Sequence, residues 1–524
     1  MEDNNNTKVI TKIKLKNFKR FTDLEFDFDE KINVLIGDNE SGKSSILQAI
    51  DIVLSGSRNK IENIGLENLF NNQVINVFLQ SEKKYEDLPE LIVELYLNEQ
   101  NNDNTNGNNN EKGIICDGLR LHCLPNDDYS HDIKNILSQH NANFPFEFYL
   151  INFTTFANNP YNSYNKYLKH IVIDNSQGNN EFAMKEYVSE IYKSKVQDIE
   201  KLSNLNKYRE YKENFKNKEF ESLNSQMGNY CFAVKNTPKQ NLETDLGLKE
   251  GDIFIEYKGK GKQCLIKTEL ALSQNKNLDI VLIEEPENHL SHINMKKLIR
   301  EISKTNDKQT FITTHSDLIS ARLDLRKTIF LNSNNIKPLP LNIISENTAK
   351  FFMKAPDNNI LQYVLSKKAI LVEGDAEYIL MEKMFQIVTT ENLEQSNIHI
   401  IAVGGKCFKR YLELAKILDI KTVVITDNDG DYDTNITQNY NDYSSVQNIS
   451  IFSDSDITRK TFEICFYNDN KDVCDNLFLT GRRTLAVQDY MLKNKADCAF
   501  AILESEKEFK VPQYISEAIQ WIKQ

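Results

Sequence analysis

A glycine-rich loop between a buried strand and a helix constrains the fold of this chain more than any other feature. The segment GDNESGKSS begins at Gly37 and fits the pattern G-x-x-x-x-G-K-[ST]. An apolar run, INVLIG, precedes it at 32–37, and a helix is predicted from Lys43 to about Leu54. The backbone N–H groups of such a loop can surround phosphate groups, and the helix N-terminus adds a favourable dipole. These features predict a nucleotide-binding α/β domain.

The side chains of this loop have separate predicted roles. Lys43 is expected to reach the β- and γ-phosphates, and the Ser44 hydroxyl is expected to bind Mg²⁺. The other loop residues assigned to the nucleotide are Gly37, Asn39, Gly42 and Ser45.

Two later strands supply the second half of this predicted site. LDIVLIEEPENHL at 278–290 ends in Glu284, an expected Mg²⁺ ligand, and Glu285, an expected base for the attacking water. FITTHSDL at 311–318 places His315 at the end of another buried strand, where it can hydrogen-bond the γ-phosphate. Because the carboxyl ends of parallel strands share one edge of a sheet, these side chains are predicted to form one site.

Lys43, the EEPE run at 284–287 and His315 resemble the ABC-type ATPase heads of the family that includes the RecF and SMC proteins. The resemblance implies ATP binding at a site that a partner head completes in a head-to-head dimer, through a loop of its own. The candidate for that loop is GKGKQ at 259–263, in which Lys260 replaces the Ser that would contact the partner's γ-phosphate. This departure argues for weak hydrolytic activity.

Alternating strand and helix patterns predict an α/β fold class with two domains and an insertion. The head is a mixed sheet with the nucleotide loop, predicted over 1–155 and 251–345, and the helical insertion occupies 156–250. A polar linker is predicted over 346–365, and a second α/β domain over 366–524.

Two segments within the head and its insertion have distinct compositions. Residues 181–223 contain no Gly or Pro, and apolar residues recur among charges of both signs at helical spacing. This pattern predicts long helices that form a dimerisation arm, with packing on their own domain as the alternative. The Asn-rich segment at 98–113 is predicted to be an exposed, mobile hairpin loop.

The segment VVITDNDGD at 423–431 places several carboxylates directly after an apolar strand. A calcium-binding EF-hand loop is excluded, because counting from Asp427 its sixth position is Tyr432 and its twelfth is Gln438. Asp427 and Asp429 would point the same way in an extended segment. Such a pair can bind Mg²⁺ or Mn²⁺, and two such ions can stabilise the attacking and leaving oxygens in phosphodiester cleavage.

An earlier strand supplies further carboxylates to the same predicted edge. AILVEGDAEYILM at 369–381 ends its strand in Glu373, and Glu377 lies one helical turn further on. A Glu-Gly at one strand end and Asp-x-Asp at a later one resemble the Toprim domain of topoisomerases, primases and OLD-family (overcoming lysogenization defect) nucleases. The resemblance to this domain implies that Glu373, Asp427 and Asp429 bind catalytic metal, with Asp431 a weaker candidate.

Two more residues resemble the OLD branch in particular. Glu463, within TFEICFYN at 461–468, is the counterpart of an extra metal ligand, and Lys495 is the counterpart of a lysine that neutralises the scissile phosphate. The alternatives are a plain surface acid for Glu463 and a solvated helix end for Lys495. A short basic group, formed by Arg482, Arg483 and Lys493, is a candidate for DNA phosphates or is simply solvated surface.

The bulk composition limits the remaining possibilities. The net charge of −13 argues against an extensively basic surface, although a local patch can still bind nucleic acid. The N-terminus is acidic and polar, apolar runs are short, and no CxxC pair occurs among the eight cysteines. A cytoplasmic protein without a structural zinc site is therefore expected.

Together the resemblances are those of an OLD-family nuclease, with an ABC-type head before a C-terminal Toprim domain. They imply a metal-dependent DNA endonuclease that uses ATP and Mg²⁺ or Mn²⁺, forms homodimers or higher homo-oligomers, and acts in bacterial antiphage defence. Gabija-type nucleases work beside a helicase-like partner, and some retrons pair an OLD-like effector with a reverse transcriptase and its RNA–DNA product. The alternative is a non-cleaving RecF/SMC-like DNA-binding ATPase of DNA repair. A topoisomerase or primase is disfavoured, because the chain lacks room for a strand-passing Tyr domain and has no zinc module.

Overall fold

A computed structural model describes residues 8–99, 102–139, 141–174, 181–235, 241–272, 278–305, 307–332, 338–355, 359–479 and 485–524. The chain divides into two compact units. The head unit comprises Met1–His315 and Lys327–Pro340, and the C-terminal unit comprises Ser316–Arg326 and Leu341–Gln524.

The strands of the head unit form two main sheets and one small hairpin. Their bounds are β1 Ile10–Phe18, β2 Phe21–Asp27, β3 Ile32–Gly37, β4 Leu91–Leu97, β5 Asn106–Gly107, β6 Cys116–Pro125, β7 Tyr149–Thr155, β8 His170–Asp174, β9 Lys249–Glu250, β10 Ile253–Phe254, β11 Ile280–Glu284, β12 Gln309–Thr313, β13 Thr328–Leu331 and β14 Leu339–Pro340.

The head helices lie mainly between and beside these sheets. Their bounds are α1 Lys43–Ser55, α2 Arg58–Ile64, α3 Asn72–Gln80, α4 Ser130–Leu137, α5 Glu181–Lys195, α6 Asp198–Glu219, α7 Glu221–Asn224, α8 Leu242–Asp245, α9 Lys260–Leu272 and α10 His292–Lys304.

The first sheet is antiparallel, in the order β2-β1-β4-β6-β5 with β7 also paired to β6. The second has the order β14-β13-β3-β12-β11-β8 and is parallel except for the β13–β14 pair. Helix α1 packs against strands of both sheets, and Ile46, Ile50 and Val53 are fully buried. A helix that is apolar on most sides belongs between two layers, and this position holds the glycine-rich loop at the end of β3.

Helices α5 and α6 occupy the segment predicted to be an arm. On α5, Met184, Val188 and Ile191 are buried, and the Tyr187 hydroxyl donates to the Lys267 carbonyl over 2.6 Å. On α6 the apolar side chains instead face outward, since Ile199 and Leu202 are 80% and 67% exposed. The first helix therefore packs on its own unit, whereas the second presents apolar side chains on its surface.

The C-terminal unit contains one four-stranded sheet in the order β16-β15-β17-β18, with every pair parallel. Helices surround this sheet, as the apolar runs in its strands predict. The bounds are α11 Asp317–Arg322, α12 Glu346–Lys354, α13 Ile360–Leu365, β15 Lys368–Val372, α14 Asp375–Thr389, β16 Ile398–Ala402, α15 Phe408–Leu418, β17 Lys421–Ile425, β18 Ile449–Phe452, α16 Phe462–Asp469, α17 Lys471–Phe478, α18 Val487–Lys493, α19 Lys495–Glu504 and α20 Gln513–Lys523.

Three sequence expectations differ from the structure. Residues 346–365, expected to be a linker, contain two helices whose Phe352 and Tyr363 side chains are fully buried. The Asn-rich segment folds onto the first sheet, because Thr105 is buried and the Asn109 amide donates to Thr154 over 3.1 Å. The apolar pattern of IFIEY at 253–257 predicts a strand, but only Ile253–Phe254 forms one and a 3-10 turn completes the segment. Within the described part of the chain, no helix combines the length and apolar character needed to cross a membrane.

Candidate functional site

The glycine-rich loop of the head unit adopts a closed, phosphate-binding shape around Lys43. Its ammonium donates to the carbonyl oxygens of Gly37 and Asp38 over 2.8 and 2.9 Å, and burial lowers its pKa. Gly42 has φ 98°, and a Cβ there would lie 2.4 Å from the Phe21 ring. Only glycine fits this position, which lies directly before the first residue of α1.

The pocket over this loop contains most of the side chains predicted to bind a nucleotide, together with three that were not. Its lining residues are Lys19, Arg20, Asn39, Glu40, Gly42, Lys43, Ser44, Ser45, Glu285 and His315. Glu284 lies beside it at the end of β11, where burial raises its pKa and the Ser44 hydroxyl donates to it. A hydroxyl paired with a carboxylate is the oxygen arrangement expected for a nucleotide-bound Mg²⁺.

Glu285 lies at the turn after β11, where neighbouring residues fix its position. Its backbone has φ 41°, its amide donates to the Thr313 carbonyl over 3.0 Å, and Asn288 donates to its carboxylate over 2.8 Å. The His315 imidazole lies 3.7 Å from the same carboxylate. The predicted base and the predicted γ-phosphate contact are therefore brought together.

The sequence interpretation missed the two basic residues that line the pocket. Lys19 and Arg20 form the turn between β1 and β2, with φ 49° at Lys19 and the Arg20 guanidinium 5.9 Å from the Phe21 ring centre. Burial lowers the Lys19 pKa even though Glu284 opposes the shift. The sequence signal for these two residues is the FKRF run at 18–21, in which Lys19 and Arg20 lie between two predicted strands.

The loop predicted to contact a partner head differs in its local structure. Helix α9 begins at Lys260, so most of GKGKQ is the first turn of that helix and not a loop before it. A Cβ on Gly261 would lie 2.4 Å from the His289 carbonyl, which requires glycine at that contact. Lys262 pairs with Glu250 over 3.1 Å.

The C-terminal unit brings four of the predicted carboxylates into one electrostatic cluster, which we call the acidic cluster: Glu373, Glu377, Asp427 and Glu463. Burial, followed by repulsion from Glu377, Glu373 and Glu463, raises the pKa of Asp427 to about 8. Burial and the repulsion of Glu463 and Glu373 likewise raise the pKa of Glu377 to about 7. The four side chains lie close enough to oppose one another's ionisation.

Parallel strand ends and one helix N-terminus create this arrangement. Glu373 follows β15 and Asp427 follows β17, and these strands are paired in parallel. The backbone amide of Phe462 donates to the Asp427 carboxylate over 2.8 Å, which brings the start of α16 and its Glu463 to the same edge. Glu463 is 3% exposed, so the alternative of a surface acid does not describe it.

Lys495 supplies a positive charge to the acidic cluster. Its ammonium pairs with the Glu463 carboxylate over 3.1 Å. Burial works to lower its pKa, but Glu463, Asp427 and Glu377 outweigh that effect and the pKa is raised. Lys495 begins α19 and its side chain is 51% exposed, so it both touches the cluster and reaches solvent.

Asp429 does not join this cluster in the way the sequence predicted. The expectation rested on an extended segment, but β17 ends at Ile425 and Asp429 has φ 51°. The turn sends its side chain toward Lys406, whose ammonium it contacts, and Asp429 is exposed. Asp431 is also exposed and accepts from the Thr434 amide over 3.0 Å, which caps the following turn.

A residue between the two aspartates explains that turn. Asn428 is 1% exposed, and its amide group donates to the carbonyls of Asp454 and Asp456 over 2.7 and 3.0 Å. Its side-chain oxygen accepts from Gly430 over 2.7 Å. The side chain therefore holds the carboxylate loop against residues 454–456 and separates the directions of Asp427 and Asp429.

The side chains of the acidic cluster are suitable ligands for a divalent cation, although their present arrangement does not enclose a metal position. Among the described residues, no group of three or more His, Cys, Asp or Glu side chains is arranged to enclose a metal ion. The donors are nevertheless hard carboxylate oxygens at a shared edge, and the raised pKa values of Glu377 and Asp427 reflect a repulsion that Mg²⁺ or Mn²⁺ would relieve. Of the predicted phosphate contacts, Lys493 is exposed, and Arg482 and Arg483 lie outside the described residues.

Comparisons with known proteins separate along the same two units. A family model described as an AAA domain matches residues 12–231, and the overcoming lysogenization defect protein-like TOPRIM domain matches residues 364–429. The DNA replication and repair protein RecF of Bacillus mycoides (strain KBAB4) is 37% identical over 54 residues, which are 10% of this chain and 14% of that protein. The chain thus matches only 14% of the length of this curated relative.

Two solved structures have low overall similarity to this chain. The C-terminal region of the Burkholderia pseudomallei OLD protein is 19% identical, with a TM-score of 0.23, over 30% of this chain and 97% of that one. The Pyrococcus furiosus Smc head domain with an extended coiled coil is 16% identical, with a TM-score of 0.33, over 66% of this chain and 99% of that one. The family matches show an AAA-type ATPase domain in the head unit and an OLD-like Toprim domain in the C-terminal unit of this chain.

Proposed function

We propose that this chain is a metal-dependent DNA endonuclease whose ATP-binding head controls cleavage. The observation that supports it most is the acidic cluster, in which four carboxylates meet Lys495 at the carboxyl edge of a parallel sheet. A chain gains nothing structurally from burying carboxylates against one another, because their repulsion and desolvation oppose folding. Such a cluster is expected where cations and a phosphodiester are bound.

Each residue of the cluster has a proposed part in strand cleavage. Glu373, Glu377, Asp427 and Glu463 would hold Mg²⁺ or Mn²⁺, with Asp429 available at the rim. A divalent cation bound there would offset the negative charge of the scissile phosphate and lower the pKa of an attacking water. Lys495, which pairs with Glu463 and is 51% exposed, would neutralise the phosphate as negative charge develops on it.

The head unit would sense ATP and transmit its presence to cleavage. Lys43 and Ser44 would bind the phosphates and Mg²⁺, while Glu285 and His315 would act on the γ-phosphate. Lys260, where the family has Ser, supports binding with weak hydrolysis. We infer that the active form is a homodimer or higher homo-oligomer assembled through the heads and the exposed face of α6.

We place this activity in bacterial antiphage defence, as an effector that cuts DNA. The support is the pairing of an ATPase head with an OLD-like Toprim domain in one chain. The proposed partners are DNA and either a helicase-like protein or a reverse transcriptase with its RNA–DNA product.

A plasmid-cleavage assay tests the proposal. Supercoiled plasmid is incubated with Mg²⁺ or Mn²⁺, with and without ATP, and with wild type, Asp427→Ala, Lys43→Ala and Asp433→Ala. Asp433 is an exposed carboxylate of the same loop outside the acidic cluster, so Asp433→Ala is the matched control and should cleave like wild type. Asp427→Ala should lose cleavage, and Lys43→Ala should lose the response to ATP.

Three results would count against the proposal. Equal nicking by Asp427→Ala would remove the Toprim site from the reaction. A Lys43→Ala variant with the wild-type response to ATP would remove the sensor role of the head. Wild type that binds DNA and ATP without cleaving any substrate would favour the RecF/SMC-like ATPase of DNA repair.

A further inference from the structure

Lys406 lies beside Asp429, which the sequence predicted to be a metal ligand but which lies outside the acidic cluster. Its ammonium contacts the Asp429 carboxylate, and the two side chains are 42% and 44% exposed. This lysine follows β16, on a turn formed by Gly404 and Gly405 with φ 70° and 113°.

The backbone fixes both members of this pair. The amide of Gly405 donates to the Glu373 carbonyl over 3.0 Å, which ties the Lys406 turn to the end of β15. The amide of Asp429 donates to the Lys460 carbonyl over 3.1 Å, which fixes the other side. The contact therefore joins two anchored turns at the edge where the acidic cluster lies.

An ammonium and a divalent cation compete for one carboxylate. A lysine has three donors and no acceptor, so it satisfies Asp429 but cannot itself ligate a metal ion. A cation that binds Asp429 also repels the ammonium, because like charges at short range oppose each other. In this structure the positive charge that contacts Asp429 is the Lys406 ammonium.

We propose that Lys406 is an internal counter-ion, which neutralises Asp429 while no divalent cation is bound and contacts a nucleic-acid phosphate once a cation displaces it. The inference rests on the proposed nuclease function and adds a regulatory step to the same site. It gives Lys406 and Lys495 separate roles, since Lys495 pairs with buried Glu463 and Lys406 pairs with exposed Asp429.

The arrangement couples the two ligands. The cation must displace Lys406 from Asp429, so the pair weakens cation binding to the free protein. A phosphate that accepts the displaced ammonium offsets that cost. By linkage, DNA then tightens cation binding and the cation tightens DNA binding by the same factor. A nuclease with this coupling loads its metal fully only when DNA is present.

The test measures metal affinity and not cleavage. Mn²⁺ is titrated calorimetrically into full-length wild type, Lys406→Met, Lys406→Arg and Lys460→Met, with and without a duplex containing hydrolysis-resistant phosphorothioate linkages. Lys460→Met is the matched control, because Lys460 is exposed beside the same loop and forms no ion pair within the described part of the chain. Circular dichroism melting without metal shows that each variant is folded.

Without DNA, Lys406→Met should bind Mn²⁺ about three- to tenfold more tightly than wild type, since the competing charge is gone. Lys406→Arg and Lys460→Met should stay within about twofold of wild type. With the duplex, Mn²⁺ affinity should rise in wild type and stay constant in Lys406→Met.

The outcomes separate this inference from the proposed function. Wild type that cleaves plasmid and binds Mn²⁺, beside a folded Lys406→Met that binds Mn²⁺ no more tightly, overturns the counter-ion role alone. Equal enhancement by DNA in both proteins overturns the coupling. Wild type that neither binds Mn²⁺ nor cleaves overturns the nuclease function and this inference together.

Discussion

The carboxylate of Glu287 holds the backbone of His315 in the head unit. One of its oxygens accepts from the His315 amide and from the Thr314 hydroxyl, the latter over 2.8 Å. Its second oxygen is buried and has no hydrogen-bond partner among the described residues. Glu287 therefore acts as a positioning group, because its carboxylate fixes the backbone of the segment after β12 that carries the His315 imidazole.

Replacing Glu287 should therefore slow ATP turnover more than it weakens ATP binding. Glu287→Ala removes the acceptor of the His315 amide, so the imidazole is no longer aligned with Glu285. We expect kcat for ATP hydrolysis to fall about tenfold while the Kd for ATP changes less than about threefold. Steady-state hydrolysis and fluorescent-nucleotide binding measure the two quantities.

Glu287→Gln is the matched variant, since its amide oxygen can still accept from both donors. It should recover most of the lost turnover. An equal loss in kcat and in ATP affinity for Glu287→Ala would show that Glu287 supports the whole pocket and does not position His315 specifically.

A second buried carboxylate, Asp51, is expected to contribute to the acid stability of the head unit. It lies on α1, between the imidazole of His170 at 2.9 Å and the ammonium of Lys60 at 2.5 Å. Burial would raise its pKa, but Lys60 and His170 outweigh burial and lower the pKa to about 2. Its ionised form is therefore favoured by the folded state.

Asp51→Asn should lower the free energy of unfolding by about 2 kcal/mol at neutral pH. Because the folded-state pKa lies below the unfolded value of 3.8, this stabilisation is complete above about pH 4 and is lost as the pH falls toward 2. Urea unfolding at a series of pH values measures it. Glu62→Gln, which removes an exposed carboxylate from α2, is the control. A difference between wild type and Asp51→Asn that is the same at pH 6 and pH 3 would contradict the assignment.

The elements that the sequence predicted well are those whose pattern is local. The apolar run before Gly37 and the helix after Gly42 match β3 and α1 closely, because strand burial and a glycine-rich turn are both set by adjacent residues. The alternation of strands and helices alone predicted that the strands before Glu373 and Asp427 end at the same edge of a parallel sheet.

The parts that were missed depend on contacts between distant residues. Asp429 points away from Asp427 because Asn428 is bonded to carbonyls near Asp454, and no periodicity in 423–431 reveals that contact. Lys19 reaches the nucleotide pocket only when the two sheets of the head are assembled. Residues 346–365 were interpreted as a polar linker, whereas the structure forms two helices there and buries apolar side chains of both, Phe352 and Tyr363 among them.

Asn428 should be important for both folding and metal binding. Asn428→Ala removes buried hydrogen bonds and leaves carbonyl groups near Asp454 without a donor, so we expect a loss of about 2 kcal/mol in stability. The carboxylate loop would also lose its anchor, and Mn²⁺ affinity should fall. Chemical unfolding and calorimetry test the two effects, with Asn439→Ala, a change outside the anchored loop, as the control. A variant that is destabilised but binds Mn²⁺ like wild type would show that Asn428 serves the fold alone.

Replacing Asp427 should stabilise the metal-free protein and abolish DNA cleavage. Asp427→Asn keeps the size of the side chain and an oxygen that can accept from the Phe462 amide, but it removes one charge from the acidic cluster. Because burial and repulsion from Glu377, Glu373 and Glu463 raise the Asp427 pKa to about 8, the folded state disfavours the ionised carboxylate, and the metal-free variant should be more stable than wild type at neutral pH by about 1–3 kcal/mol. Added Mn²⁺ should raise the melting temperature of wild type and not that of Asp427→Asn, and the variant should not cleave plasmid. A metal-free variant less stable than wild type would mean that other contacts already compensate the repulsion within the acidic cluster, and the argument that these carboxylates are kept together for a cation would fail.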